Sequence, residues 1–379
     1  MGEYPTNSTF CEFATLTPNK IVRAEMEDTH TCILSLPNHP DTSYFAVFDG
    51  HGGTECSEWL SKNLHTYIDE LPELEKSFVE QACLKADADF YEQVKGTLKK
   101  QDSGSTAVFA LVTHNIKEGQ NRIIIGHVGD SRAMLIQPDT NTSLQLAFDH
   151  KPNQLGEWQR IVDAGWFVFN KRIGGNLAMS RAFGDFGYKG KANLPPVQQA
   201  VIPLPDVTTH YVSSDQILLL ACDGITDVMD TAAVGEFVLG KMDKNQQWDP
   251  AWTVVLMQDK CINLRSHDNM TGMLVSFGDG QGYGDSDPTR VGYLPGPWLG
   301  EARTGANIEY CELVYCLAYN RFARKHGYNT AESVAMQKLN EMVGLYTPMD
   351  DGLDPKPLLV TAPCVAPAQY QNMLQELDA

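Results

Sequence analysis

The stretch S-Y-F-A-V-F-D-G-H-G-G, residues 43 to 53, climbs through apolar residues and stops on an acid, a glycine, an imidazole and two more glycines. Taken alone it is a buried strand closed by a turn, since Asp and Gly commonly end strands. It does not stand alone. I-L-L-L-A-C, ending at Cys222, runs into D-G-I-T-D, and R-I-I-I-G-H-V-G, ending at Gly129, runs into D-S-R. Three apolar runs thus hand Asp49, Asp223 and Asp130 to strand ends, and Asp268 in S-H-D-N-M-T-G shortly precedes a further strand. Carboxylates gathered at one place repel one another and are expensive to ionise together. A divalent cation removes that cost, and an all-oxygen donor set selects hard ions such as Mg2+ or Mn2+ over Zn2+. The glycines after Asp49 and Asp223 let the backbone come close, and Gly50 can offer its carbonyl.

The chain has 379 residues, 42% of them hydrophobic and 20% charged, which describes a globular protein with a real interior. A formal net charge of −19 argues against nucleic acid as a partner and requires a local positive feature for any anionic substrate. Nine cysteines without CxxC spacing read as reduced cytosolic thiols. No apolar run of membrane-spanning length and no signal-peptide order occur, so a cytoplasmic protein, also compatible with the nucleus, is expected. The opening M-G-E-Y-P-T fits the loose myristoylation template at Gly2 and Thr6, although Glu3 is a poor neighbour for it.

Working outward, Cys56, Trp59, Leu60, Leu64, Tyr67, Ile68 and Leu71 mark one apolar helix face, and Phe78, Ala82, Ala86, Phe90 and Val94 a second. Strands over 105–112 and 122–130 read as antiparallel neighbours. Leu155, Trp158, Ile161 and Val162 mark a short helix that Gly165 ends. Residues 186 to 206 lack an apolar period and read as a surface loop. A helix through Val254, Met257, Cys261 and Leu264 separates the strand at 217–222 from that at 273–277. Composition changes at G-D-G-Q-G-Y-G-D-S-D-P, which places a boundary between a domain over 1–278 and an extension over 279–379. The extension reads as helices near 307–326 and 330–345 with a Pro-rich tail over 347–367. It either stabilises the core or recruits a partner.

E-M-E-D-T-H at 25 to 30, F-A-V-F-D-G-H-G-G, S-G-S-T-A, G-D-S-R-A, D-H-K-P, L-A-M-S-R-A-F-G-D-F, L-A-C-D-G-I-T-D-V and D-N-M-T-G occur in this order over about residues 10 to 278. In this the chain resembles the metal-dependent protein phosphatase family, type 2C. The resemblance implies an α+β fold, a four-layer α-β-β-α sandwich of two mostly antiparallel sheets flanked by helices, here with a helical C-terminal extension. It implies a monomeric serine/threonine phosphatase acting on phosphoserine and phosphothreonine proteins by direct attack of a metal-activated water. Two Mg2+ or Mn2+ ions are implied, bridged by Asp49, with Asp223 and Asp268 completing one ion's protein ligands and the Gly50 carbonyl serving the other. Glu27 acts through water, and Asp130 with Asp223 binds a weaker third ion.

The chemistry fits the residue types. Two ions about 3.5–4 Å apart lower the pKa of a water between them and clamp both oxygens of an in-line displacement. His51, two residues from the bridging acid, is placed to protonate the leaving oxygen. Arg23 can fork two phosphate oxygens and supplies the missing positive feature. Asp227 is either a carboxylate behind the ligands or a helix N-cap, and Asn269 either orients its aspartate neighbour or turns the chain. Arg181 and Asp185 read as a buried ion pair shaping the site, while Lys189 and Lys191 either meet substrate or are simply solvated. Two other functions compete: a catalytically dead scaffold, against which Asp49, Asp223 and Asp268 are all present, and a hydrolase of small phosphoesters or nucleotides, for which no GxxxxGK[ST] loop occurs.

Overall fold

The computed structural model describes residues 10–15, 26–96, 102–117, 120–242, 250–277 and 291–295, all within one unit, Met1–Gly296. Gly2 and the helices expected beyond residue 300 lie outside the described residues. The first part of the chain forms β1 (Phe10–Thr15), β2 (Thr29–Ile33), β3 (Thr42–Phe48), β4 (Gly50–His51), α1 (Glu55–Asp69), α2 (Lys76–Val94), β5 (Gly104–Ser105), β6 (Ala107–Lys117), β7 (Gln120–Val128), β8 (Arg132–Gln137) and β9 (Thr142–Gln145). It continues with α3 (Leu155–Asp163), β10 (Val168–Phe169), β11 (Arg172–Ile173), β12 (Phe183–Gly184), β13 (Asp206–Ser213), β14 (Ile217–Ala221), α4 (Asp223–Thr226), α5 (Thr231–Lys241), α6 (Pro250–Asn263), β15 (Thr271–Ser276) and β16 (Val291–Pro295).

Two large sheets result, one in the order β13-β7-β6-β3-β2 and one in the order β16-β1-β15-β14-β8-β9. Pairing is antiparallel throughout except between β1 and β16. The second sheet therefore takes in residues beyond the composition change at 278.

The continuous apolar run of β3 follows from its place between two cores. Successive side chains on a strand point to opposite faces. Tyr44, Ala46 and Phe48 join the cluster that receives Leu60, Leu64 and Ile68 of α1 and Ala82, Ala86 and Phe90 of α2. Phe45 and Val47 join the cluster shared with Leu218 and Leu220 of β14 and Met273 and Val275 of β15. β6 divides in the same way, Phe109 and Leu111 to one side and Val108 and Ala110 to the other. A strand covered on both faces has no solvent-facing side for polar residues to mark, which is why the alternation of a half-exposed strand is missing.

Two expectations need revision. Helix α3 forms where its period places it, but Leu155 is 82% exposed while Ile161 and Glu157 are buried, so the side facing inward carries an acid. The segment 186–206 is not simply surface: Phe186, Ala200, Val201 and Ile202 are buried.

Phe45, fully buried between the sheets, has no room to relax on truncation. Phe45→Ala is expected to lower the free energy of unfolding by about 3–5 kcal/mol, read from denaturant midpoints at unchanged m-value.

Candidate metal centre

Antiparallel register brings the acids to one rim. Ala221 at the end of β14 pairs with Arg132 at the start of β8 and with Gly272 near the start of β15. Asp223, Asp130 and Asp268 lie just past these positions, so three adjacent strand ends deliver one carboxylate each. In the other sheet Phe48 pairs with Thr29, Val47 with Val108, and Ala107 with Val128. Asp49, Asp28, Thr106 and Asp130 are therefore rim neighbours too. Asp130 belongs to both sets because the chain crosses from one sheet to the other between β7 and β8.

The electrostatics record how closely the acids lie. Burial pushes the Asp49 carboxyl well above its usual range, and Asp28, Asp223, Asp130 and Asp268 push it further. Asp223 is driven up to about 8 by burial and by Asp130, Asp227 and Asp268. Asp28, only 6% exposed, is pushed up to about 6, first by burial. Charges this close favour a proton on one of the carboxylates unless a cation takes its place. Among the described residues no three acidic, His or Cys side chains already close into a cage.

The residues nevertheless fit a divalent ion. All donors are oxygens, and Asp28 Oδ1 and Asp130 Oδ1 are buried without a hydrogen-bond partner. Backbone also comes close here, since a Cβ on Gly50 would lie 2.3 Å from the Glu27 carbonyl oxygen. Lys151 Nζ lies 2.6 Å from Asp130 Oδ2, so one oxygen of that carboxylate already faces a cation.

Asn269 settles the geometry of the rim: its Oδ1 accepts the Glu27 N–H at 3.0 Å, and its own N–H donates to Asp268 Oδ1 at 2.8 Å. It thereby joins the segment carrying Glu27 and Asp28 to the loop carrying Asp268. Glu27 Oε1 accepts the Gly53 N–H at 2.6 Å. Asp227 follows α4, and the helix N-cap is instead Asp230, whose side chain accepts the Ala233 N–H. Arg23 lies outside the described residues. Asp28 was within reach of sequence reading, since it follows Glu27 in the quoted E-M-E-D-T-H.

His51 stands beside this rim. Its Nε2 is 2.8 Å from Asp185 Oδ2, and its Nδ1 is buried without a hydrogen-bond partner. Burial opposes protonation of His51, but the charge and hydrogen bond of Asp185, with Asp130 and Glu27 farther off, outweigh it and raise its pKa. Cys222, also adjacent, is buried, and burial followed by Asp28, Asp49 and Asp223 drives its thiol well up, so it is no nucleophile.

The family model described as Protein phosphatase 2C matches residues 15–270 of the chain. Protein phosphatase 2C homolog 2 of Schizosaccharomyces pombe is 36% identical over 279 residues, covering 69% of this chain and 72% of that protein. Protein phosphatase 1A of Bos taurus is 33% identical over 269 residues, covering 67% and 68%. Among solved structures, a phosphatase from Toxoplasma gondii superposes with a TM-score of 0.63 at 30% identity, covering 72% of this chain and 92% of that one.

The expected pairing of Arg181 with Asp185 is not what forms. Arg181 donates to Glu157 Oε1 through Nε at 3.0 Å and through a terminal nitrogen at 2.8 Å, and to Asp206 at 2.9 Å. Glu157 also accepts from Arg160 and from the Ser180 hydroxyl, each at 2.6 Å. Lys189 likewise turns inward, its Nζ 2.8 Å from both oxygens of buried Asp87. Lys191 stays exposed.

Burial pushes Glu157 up, but the hydrogen bond and charge of Arg181 with the charge of Arg160 outweigh it, leaving a folded pKa of about 2 against an ordinary 4.5. The folded value is the lower one, so this stabilisation is complete above pH 4.5 and is lost as pH falls from there through 2. Glu157→Gln, which mimics the protonated acid, is expected to be less stable at pH 7 by at most about 3 kcal/mol. The gap to the parent protein should close on acidification, followed by urea unfolding at stepped pH.

Proposed function

The chain belongs to the protein phosphatase 2C family and is a protein serine/threonine phosphatase; from that premise we propose which of its residues do the work. The observation that carries the reading is the set Asp49, Asp223, Asp130 and Asp28, delivered by strand ends of both sheets to one rim. Asp49, Asp223, Asp268 and the Gly50 carbonyl would hold the Mg2+ or Mn2+ ions, with Glu27 acting through water. When bound, the ions supply a water of low pKa and offset the charge of the phosphoryl oxygens. Asp130 would be available to a weaker third ion, since Lys151 occupies Oδ2 while Oδ1 is buried without a hydrogen-bond partner.

Every other part belongs to the chain. Arg23 forks two oxygens of the phosphate, the planar guanidinium matching their spacing. His51 donates a proton to the serine or threonine oxygen as it leaves, which matters because an alkoxide is a poor leaving group. No side-chain nucleophile takes part, in keeping with the protonated thiol of Cys222. Packing of α1 and α2 on one sheet, and of the two sheets on each other, supports the four-layer order with α5 and α6 outermost. Residues 297–379 are an extension to this catalytic unit, which acts as a monomer on phosphoproteins.

Hydrolysis of a phosphothreonine peptide is expected to stop on chelation, to return with Mn2+ or Mg2+, and not to return in Asp49→Asn. Activity that survives chelation would overturn the metal reading. Arg23→Ala is expected to lower kcat/KM for the peptide by about ten- to a hundredfold, in line with a charged hydrogen bond to phosphate. A loss in Arg23→Lys as large as in Arg23→Ala would favour the fork over mere charge.

A further inference from the structure

A three-stranded sheet of very short strands is built around one contact. Its order is β12-β5-β4, and each strand has two residues. His51 of β4 pairs with Gly104 of β5, and Gly104 pairs on its other side with Gly184 of β12. Asp185 follows Gly184 directly. The His51–Asp185 hydrogen bond therefore spans β5 over Gly104, in the space a side chain would fill. A Cβ there would lie 2.4 Å from His51 Nε2 and 2.5 Å from Asp185 Oδ2. Only glycine leaves room for that contact.

Asp185 is held in place from all sides. Its backbone is left-handed, with φ at +51°, a conformation uncommon for a residue with a side chain. Its N–H donates to the Ser103 carbonyl at 3.1 Å. The preceding Gly184 N–H donates to Asp87 at 2.8 Å, and Asp87 is itself held by Lys189. The following Phe186 and Gly187 N–H groups donate to the two oxygens of Asp102, at 2.9 and 2.7 Å. The Phe186 ring packs on Tyr91 and Phe90 of α2, with centroids 5.0 and 5.8 Å away. An acid on a surface loop needs no such mounting. This one is fixed and aimed at a single imidazole nitrogen.

We propose that Asp185 is the positioning residue for His51: it holds Nε2–H, sets the plane of the ring, and thereby presents Nδ1–H to the leaving oxygen. In the reaction, the bond from phosphorus to the serine or threonine oxygen breaks. That oxygen keeps the bonding pair and takes the proton from Nδ1, and His51 is left neutral with its Nε2–H still on Asp185. The oxygen of the attacking water forms the new bond to phosphorus as the old one breaks, and water is the only other reactant. The inference rests on the general-acid reading of His51 given above and adds the group that orients it.

The test compares a phosphothreonine peptide, whose leaving oxygen needs a proton, with an aryl phosphate, whose leaving group does not, in the full-length Mn2+-loaded chain. His51→Ala is expected to slow the peptide selectively. Asp185→Ala is expected to lower kcat for the peptide by about ten- to a hundredfold, below the 10²–10⁴ of a removed general acid, with KM and aryl phosphate turnover little changed. Asp185→Asn keeps an acceptor for Nε2–H and should recover part of that loss. Gly104→Ala leaves both partners in place but drives them apart, and should reproduce the selectivity of Asp185→Ala. In the His51→Ala background, Asp185→Ala should cost nothing more on the peptide, since residues acting as a unit are not additive. Equal losses on both substrates, or a full further loss in the double variant, would overturn the positioning role while leaving the general acid standing. If His51→Ala itself fails to discriminate, the general-acid reading falls and this role falls with it. Thermal melts of each variant identify any that is lost through unfolding, and Asp185→Asn and Gly104→Ala then carry the decision.

Discussion

Like charges forced together set the terms for this molecule. Asp28, Asp49, Asp130, Asp223 and Asp268 converge closely enough that Asp28, Asp49 and Asp223 become harder to ionise. A frame that yielded would let them spread and solvate separately. The frame here does not yield, because each acid is mounted at or beside a strand end whose neighbours in register are also acid carriers. The two cores and the sheet-to-sheet crossing at Asp130 follow from the need to keep those ends together.

A second layer of charge surrounds the first. The protein is strongly acidic overall, yet several of its cations turn inward: Lys151 to Asp130, Arg132 to Asp149, Arg181 and Arg160 to Glu157, and Lys189 to Asp87. Such pairs gain little net stability over apolar packing, but breaking one leaves an uncompensated charge in a poorly solvated place. Their value is geometric. Glu157 and Asp206 fix Arg181, and Asp87 and Asp102 fix the turn that bears Asp185. The turn that bears Asp185 is thus tied down by charged side chains.

The sequence made the carriers legible and the partners much less so. Apolar runs ending in acids announce β3, β7 and β14, because a strand buried on both faces cannot hide its composition. The acids proposed to hold metal could be read because they sit at those ends. Side-chain pairing across distant segments left no such trace. Asp185 was matched with Arg181, four residues away, whereas its partner is His51, 134 residues distant, through a register of three two-residue strands that carry no periodic pattern. Helix α3 announced its length through Leu155, Trp158 and Ile161 but not its orientation. Its inward side is chosen by Glu157, whose arginines come from Arg160 within it and Arg181 beyond it. Asp28 leaves no signal of its own in the sequence because one more acid beside Glu27 looks like solvated charge, whereas in the fold Thr271 donates to it from β15 at 2.8 Å.

The double-sided burial of β3 reaches further than packing. A strand that is the shared wall of two cores has no private route to opening, since exposing its amides means separating it from the helices, from the facing sheet, or from both. Local fluctuations that in other proteins loosen a binding loop without disturbing the rest are closed to the segment leading into Asp49. Amide hydrogens at Val47 and Phe48 should exchange with solvent only through unfolding of the whole unit, so the site persists in full or is lost together with the fold.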